Sequence, residues 1–85
     1  MGDMPYIDVM ATADNIRRLM RINNLKVADI QRRMNFSTGN SVYKWLRGDC
    51  LPSLDTMICL CRLFGNITLE ELLIIRMPER EPVKR

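Results

Sequence analysis

Apolar residues recur with a helical period from about residue 12 to about residue 75, and small clusters of turn formers cut that pattern into short pieces. The first helix is expected from Ala13 to about Asn23, with Thr12 as N-cap, Ile16, Leu19 and Met20 on one face, and Asn23-Asn24 as the stop. A second, from about Val27 to Met34, turns Val27, Ile30 and Met34 inward and has only Lys26 where a capping Ser or Asp would be expected. After Asn35-Phe36-Ser37-Thr38-Gly39-Asn40, a two-turn third helix carries Val42, Trp45 and Leu46 at i, i+3, i+4 and ends at Gly48. Ser53 caps a fourth that Gly65 ends near Phe64, and its apolar residues spread so far around the axis that burial on most sides is expected. Thr68-Leu69-Glu70-Glu71 is a capping box that opens a fifth helix through about Ile75. Strand-type alternation occurs only at Tyr6-Ile7-Asp8-Val9. The expectation is one all-α bundle of five helices, because 85 residues leave little room for a second core. Residues 1–11 form an N-terminal arm, 12–76 the helical domain and 77–85 a flexible charged tail.

Several functions fall away on residue types alone. The longest unbroken apolar run, Met57 to Cys61, is far short of the ~20 residues that cross a bilayer. The segment after Met1 does not read as a secretory signal, and Tyr6 stands where a myristoylation pattern needs Ser or Thr. Three cysteines cannot all pair within one chain, so the expected compartment is the cytoplasm, with the nucleoid inside it. Cys59 and Cys61 project about 200° apart on a helix and cannot jointly grip one metal, so they read as small buried apolar side chains. With no His, the commonest base for a Ser or Cys nucleophile is missing, and Gly39, Gly48 and Gly65 stand singly, without a phosphate-cradling loop. Glu70-Glu71 sits at a helix start, where acids offset the dipole. Neither enzyme activity nor a cofactor is expected.

The charges are unevenly placed. Between Asn15 and Gly48 lie Arg17, Arg18, Arg21, Lys26, Arg32, Arg33, Lys44 and Arg47 against the single acid Asp29, a net of +7. The rest of the chain is −4, so an overall charge of +3 conceals a basic region on the first three helices. A surface that meets a polyanion has that footprint, whereas a merely solvated face mixes both signs.

The third helix carries side chains suited to that partner. With Val42, Trp45 and Leu46 inward, Asn40, Ser41, Tyr43, Lys44 and Arg47 face out. Asn donates and accepts together against adenine, and Lys donates to the guanine N7 and O6 edge. Ser37, Thr38 and the N–H groups at the helix start suit phosphate oxygens, and Gly39 allows close backbone approach or a positive φ. The same polar run fits an ordinary turn and cap, and composition does not separate the two.

The stretch from about Asn15 to Leu73 resembles the Cro and phage-repressor helix-turn-helix family, also called the XRE family. The matching elements are Ile16-Arg17-Arg18-Leu19, the break near Leu25, Ile30 and Met34, and Val42-Tyr43-Lys44-Trp45-Leu46-Arg47-Gly48. Leu51-Pro52-Ser53-Leu54, Leu63-Phe64-Gly65 and Leu69-Glu70-Glu71-Leu72-Leu73 follow in order. The resemblance implies a five-helix lambda-repressor-like DNA-binding domain. Asn40 and Lys44 then occupy base-reading places and Arg47 a backbone-contacting one, with Thr38, Gly39, Ser41 and Tyr43 flanking them. Three positions depart from the pattern: Val27 replaces a phosphate-contacting Gln, the turn from Ser37 to Ser41 is one residue longer, and Leu46 replaces a frequent Glu.

Together these features point to a sequence-specific transcriptional regulator, a repressor by the resemblance, acting on double-stranded DNA. Arg17, Ser37, Thr38, Gly39, Asn40, Ser41, Tyr43, Lys44 and Arg47 are its expected contact residues. Family members generally bind inverted repeats as homodimers. Leu72-Leu73-Ile74-Ile75 with Met77, or the arm from Tyr6 to Val9, are candidates for the seam. The apolar excess on the last two helices supports a second reading, an antitoxin-like or adaptor module that keeps the fold and binds a protein partner. No stretch reads as an effector-binding domain.

Overall fold

Asp8 decides where the first helix starts. In the computed structural model, which describes residues 4–78, Asp8 Oδ1 accepts the Ala11 N–H at 2.9 Å, and helix α1 runs from Val9 to Ile22. The start therefore lies four residues before the expected Ala13. Thr12 is not the cap but a fully buried side chain inside the helix, and its hydroxyl oxygen accepts the Ile74 N–H at 3.0 Å. Asp8 won because an N-cap must stand outside the helix in extended conformation, which its φ of −82° and ψ of 101° provide.

The remaining elements are β1 (Tyr6–Ile7), α2 (Val27–Arg33), α3 (Asn40–Arg47), α4 (Leu54–Leu63), α5 (Leu69–Leu72) and β2 (Ile75–Arg76). Strand β1 pairs antiparallel with β2, placing Tyr6 opposite Arg76 and Ile7 opposite Ile75. The fold is thus mostly helical, compatible with the expected all-α class, with a small two-stranded ribbon added. Helix α5 stops three residues before the expected Ile75. Thr68 and Glu71 cap it as the sequence suggests, but Leu73 is extended at ψ 140°. The N–H of Ile74 is taken by Thr12 and its carbonyl by the Asp8 N–H at 2.8 Å, while the β-branched Ile74-Ile75 pair suits a strand. Residues 6–11 of the expected N-terminal arm thus contribute β1 and the first turn of α1. Residues 1–3 and the expected charged tail from Glu79 to Arg85 lie outside the described residues.

Four helix ends follow one pattern. Asn24, Asn35, Gly48 and Gly65 all have positive φ, as the residue after a helix commonly does. After α1, α2 and α3 the two closing bonds of a Schellman motif are both present: Leu25 to Met20 and Asn24 to Arg21, Phe36 to Gln31 and Asn35 to Arg32, Asp49 to Lys44 and Gly48 to Trp45. The start of α2 lacks a side-chain acceptor at Lys26, yet Asp29 reaches back to accept the Lys26 N–H at 2.8 Å.

One core joins the elements: Ile16, Leu19 and Met20 of α1, Ile30 of α2, Val42, Trp45 and Leu46 of α3, Met57, Leu60 and Cys61 of α4, then Phe64 and Leu72. Each fully buried side chain of this size contributes about 1.5–3 kcal/mol. Helix α4 is less covered than expected, with Leu54 62% and Ile58 48% exposed. Cys50 and Cys59 are exposed too, and only Cys61 is buried. A domain this small has too few elements to surround one of its helices. No helix among the described residues is long and apolar enough to cross a membrane.

Candidate nucleic-acid interface

Helix α3 is held from three sides. Its face of Val42, Trp45 and Leu46 enters the core between α1 and α2. Phe36, in the turn before it, meets Trp45 edge-on with ring centroids 6.0 Å apart, a favourable aromatic geometry. At its far end, Arg17 of α1 donates from Nε and Nη2 to the Leu46 carbonyl oxygen at 3.2 and 3.0 Å. This cation satisfies a terminal carbonyl at the negative end of the helix dipole.

The turn between α2 and α3 is closely packed. A Cβ at Gly39 would stand 3.0 Å from Val27 Cγ1 and 3.4 Å from Tyr43 Cε2. Gly39 has φ −86°, so of the two reasons for a glycine here, close approach applies and positive φ does not. Val27 takes part in this contact. Thr38 Oγ1 accepts the Asn40 N–H at 3.2 Å, and Gln31 Nε2 donates to the Ser37 carbonyl at 3.4 Å. Thr38 therefore closes a short side-chain turn just before α3, whose N-cap is Gly39 without a side-chain acceptor, and Gln31 makes a long contact from α2 to that turn.

With α3 fixed in this way, Asn40, Ser41, Tyr43, Lys44 and Arg47 are all exposed beside the exposed Ser37 and Thr38, and Gly39 is half-buried. The sequence placed these side chains outward, and the structure brings them together on one helix and its leading turn. Two expected cations are engaged within the protein. Arg17 is exposed but its guanidinium is turned to Leu46. Arg47 pairs with Asp49 at 2.9 Å, both well exposed, an ion pair that solvent makes weak.

The wider basic segment is similarly sorted. Arg32 pairs with Asp29 at 2.7 Å. The Asp29 carboxyl lies below its usual range, chiefly because it accepts the Lys26 N–H, with Arg32 adding to the effect. Arg18 donates to Asn15 Oδ1 at 2.9 Å. Among the described residues Arg21, Lys26, Arg33 and Lys44 have no acidic partner, so their charge faces solvent.

One buried polar contact that ties α1 to α5 is not legible in the sequence. Asn15, buried in α1, donates through Nδ2 to the carbonyls of Glu71 and Leu72, both at 2.9 Å, while accepting from Arg18. Its only sequence signal is a polar residue directly before Ile16 and one turn before Leu19 on the apolar side of α1. No protein-family model, curated protein or solved structure matches the chain.

Proposed function

We propose that this protein is a sequence-specific DNA-binding regulator of transcription with a lambda-repressor-like helix-turn-helix, in which α2 and the turn support α3 as the helix that enters the major groove. The observation that carries the reading is the division of α3 into a buried apolar face and an exposed face of Asn40, Ser41, Tyr43, Lys44 and Arg47. That face lies within the segment of net charge +7. Asn40 and Lys44 read base edges. Ser37, Thr38 and the start of α3 meet phosphate, and Arg47 exchanges Asp49 for the DNA backbone. Arg17 sets the angle of α3 while adding positive potential beside it.

A homodimer on an inverted repeat completes this reading, because one small domain makes few phosphate contacts and a second copy doubles them. The exposed Leu54 and Ile58 of α4 and Ile75 and Met77 by the ribbon offer apolar area for the seam. The same exposure favours a second reading, a protein-interaction module with little DNA reading. An electrophoretic shift on random duplex DNA, followed over a salt series, separates the two. A regulator binds with a steep inverse dependence on salt and enriches particular sequences, whereas an interaction module does neither.

A further inference from the structure

A groove of about 530 Å³ opens between the end of α1, the end of α2 and α4. Leu25, Met34 and Leu63 line it, all half-buried and packed against the core. Arg33 from α2 and Arg62 from α4 also line it, and neither has an acidic partner among the described residues. Cys59 lines the same groove with an exposed thiol. Neither guanidinium belongs to the exposed face of α3. The volume lies in the ~300–1,000 Å³ range of small-molecule sites.

The geometry points to a binding site for a single-chain amphiphile with an anionic head. The aliphatic chain lies on Leu25, Met34 and Leu63, and the carboxylate or phosphate head is held by Arg33 and Arg62. An uncharged apolar ligand leaves the two cations unanswered, and a bare anion leaves the apolar wall wet. Only a molecule with both parts matches both surfaces, and the planar guanidinium suits a two-oxygen head. The occupant would bridge α2 and α4, which are otherwise joined through core side chains.

Cys59 provides a readout that does not involve DNA. Cys61 is buried, and burial, with the nearby Glu71 charge, pushes its thiol above the usual range, so in a Cys50→Ser background Cys59 is the thiol that N-ethylmaleimide reaches. Decanoate, kept below its micelle threshold, is expected to slow that labelling at least about fivefold at saturation. Arg33→Gln and Arg62→Gln are expected each to raise the decanoate concentration for half-protection about tenfold. Both side chains are exposed, and an unchanged far-UV spectrum checks that the variants fold. Decanol and inorganic phosphate serve as the half-ligands and are expected to protect weakly. Labelling that decanoate leaves unchanged, or equal protection by either half-ligand, overturns the proposal.

Discussion

The guanidinium of Arg17 holds the carbonyl oxygen of Leu46 with two nitrogens, at 3.2 and 3.0 Å, and so ties the middle of α1 to the last turn of α3. The bond is charge-assisted and part-buried, with the Arg17 side chain itself exposed, and its net worth is about 0.5–1.5 kcal/mol. Arg17→Ala should therefore lower Tm by roughly 3–8 °C in a thermal melt followed by circular dichroism. Arg17→Lys, which keeps the charge without the fork, should recover only part of that loss. If the two variants melt together with the wild type, the contact does not position α3. On DNA, Arg17→Ala should weaken binding to all sequences alike.

Val27 crowds the position of Gly39. In Gly39→Ala the added methyl meets Val27 Cγ1 at 3.0 Å, and overpacking at such a site costs about 1–2 kcal/mol. In a Val27→Ala background the same change should cost about 0.5 kcal/mol or less, because the opposing methyl is gone. Urea denaturation of the four proteins in the cycle measures the difference. Equal costs in both backgrounds would show that the close approach is not the reason for glycine.

Thr12→Val retains shape and removes one oxygen. It leaves the Ile74 N–H without the acceptor it has at 3.0 Å, at a cost of about 1–2 kcal/mol for an unpartnered buried donor. Because Ile74 lies between α5 and β2, amide exchange at Asp8 and Ile74 should accelerate more than exchange in α4. Uniform acceleration would place the effect in global stability instead of the ribbon.

The carboxyl of Asp8 is held below its usual range, first by the Arg76 guanidinium at 2.8 Å and then by the Ala11 N–H. A depressed folded-state value means that its contribution is present above the unfolded carboxyl value of about 3.9 and disappears as pH falls through the folded one. Asp29 shifts in the same direction. Stability should thus fall with acid from about pH 4 downward, and Asp8→Asn should flatten that part of the curve. An Asp8→Asn curve parallel to the wild type would remove Asp8 from the acid response.

Arg47 is restrained by Asp49 at 2.9 Å. Asp49→Asn releases the guanidinium and removes a negative charge beside the exposed face of α3. It should tighten binding to any duplex, and the slope of affinity against salt should steepen by about one phosphate contact. Unaltered affinity would mean that Arg47 does not reach DNA.

Local signals made most of the helices legible. Asn23-Asn24, Gly48, Ser53 and Thr68 mark helix ends by backbone chemistry confined to a few residues, and α2, α3 and α4 match their expected ranges within about one residue. The inward set Val42, Trp45 and Leu46 was readable from spacing, so the outward set was too. What escaped depends on partners far apart in sequence. Thr12 looks like a cap until Ile74 takes its hydroxyl, Asp8 gains Arg76 only once the ribbon forms, and the length of α5 is decided by residues more than sixty positions away. Arg17 reads as one more surface cation, because nothing local predicts its bond to Leu46.

Whether α3 reads bases is decided by selecting binding sites from random duplex DNA with the wild type and Lys44→Ala in parallel. The wild type should recover an inverted repeat with half-sites about 10 base pairs apart. Lys44→Ala should bind this site about 1–3 kcal/mol more weakly and lose its preference at one symmetry-related pair of positions. Recovery of no preferred sequence by the wild type at moderate salt, or of the same sequence with the same selectivity by both proteins, would contradict base reading by α3.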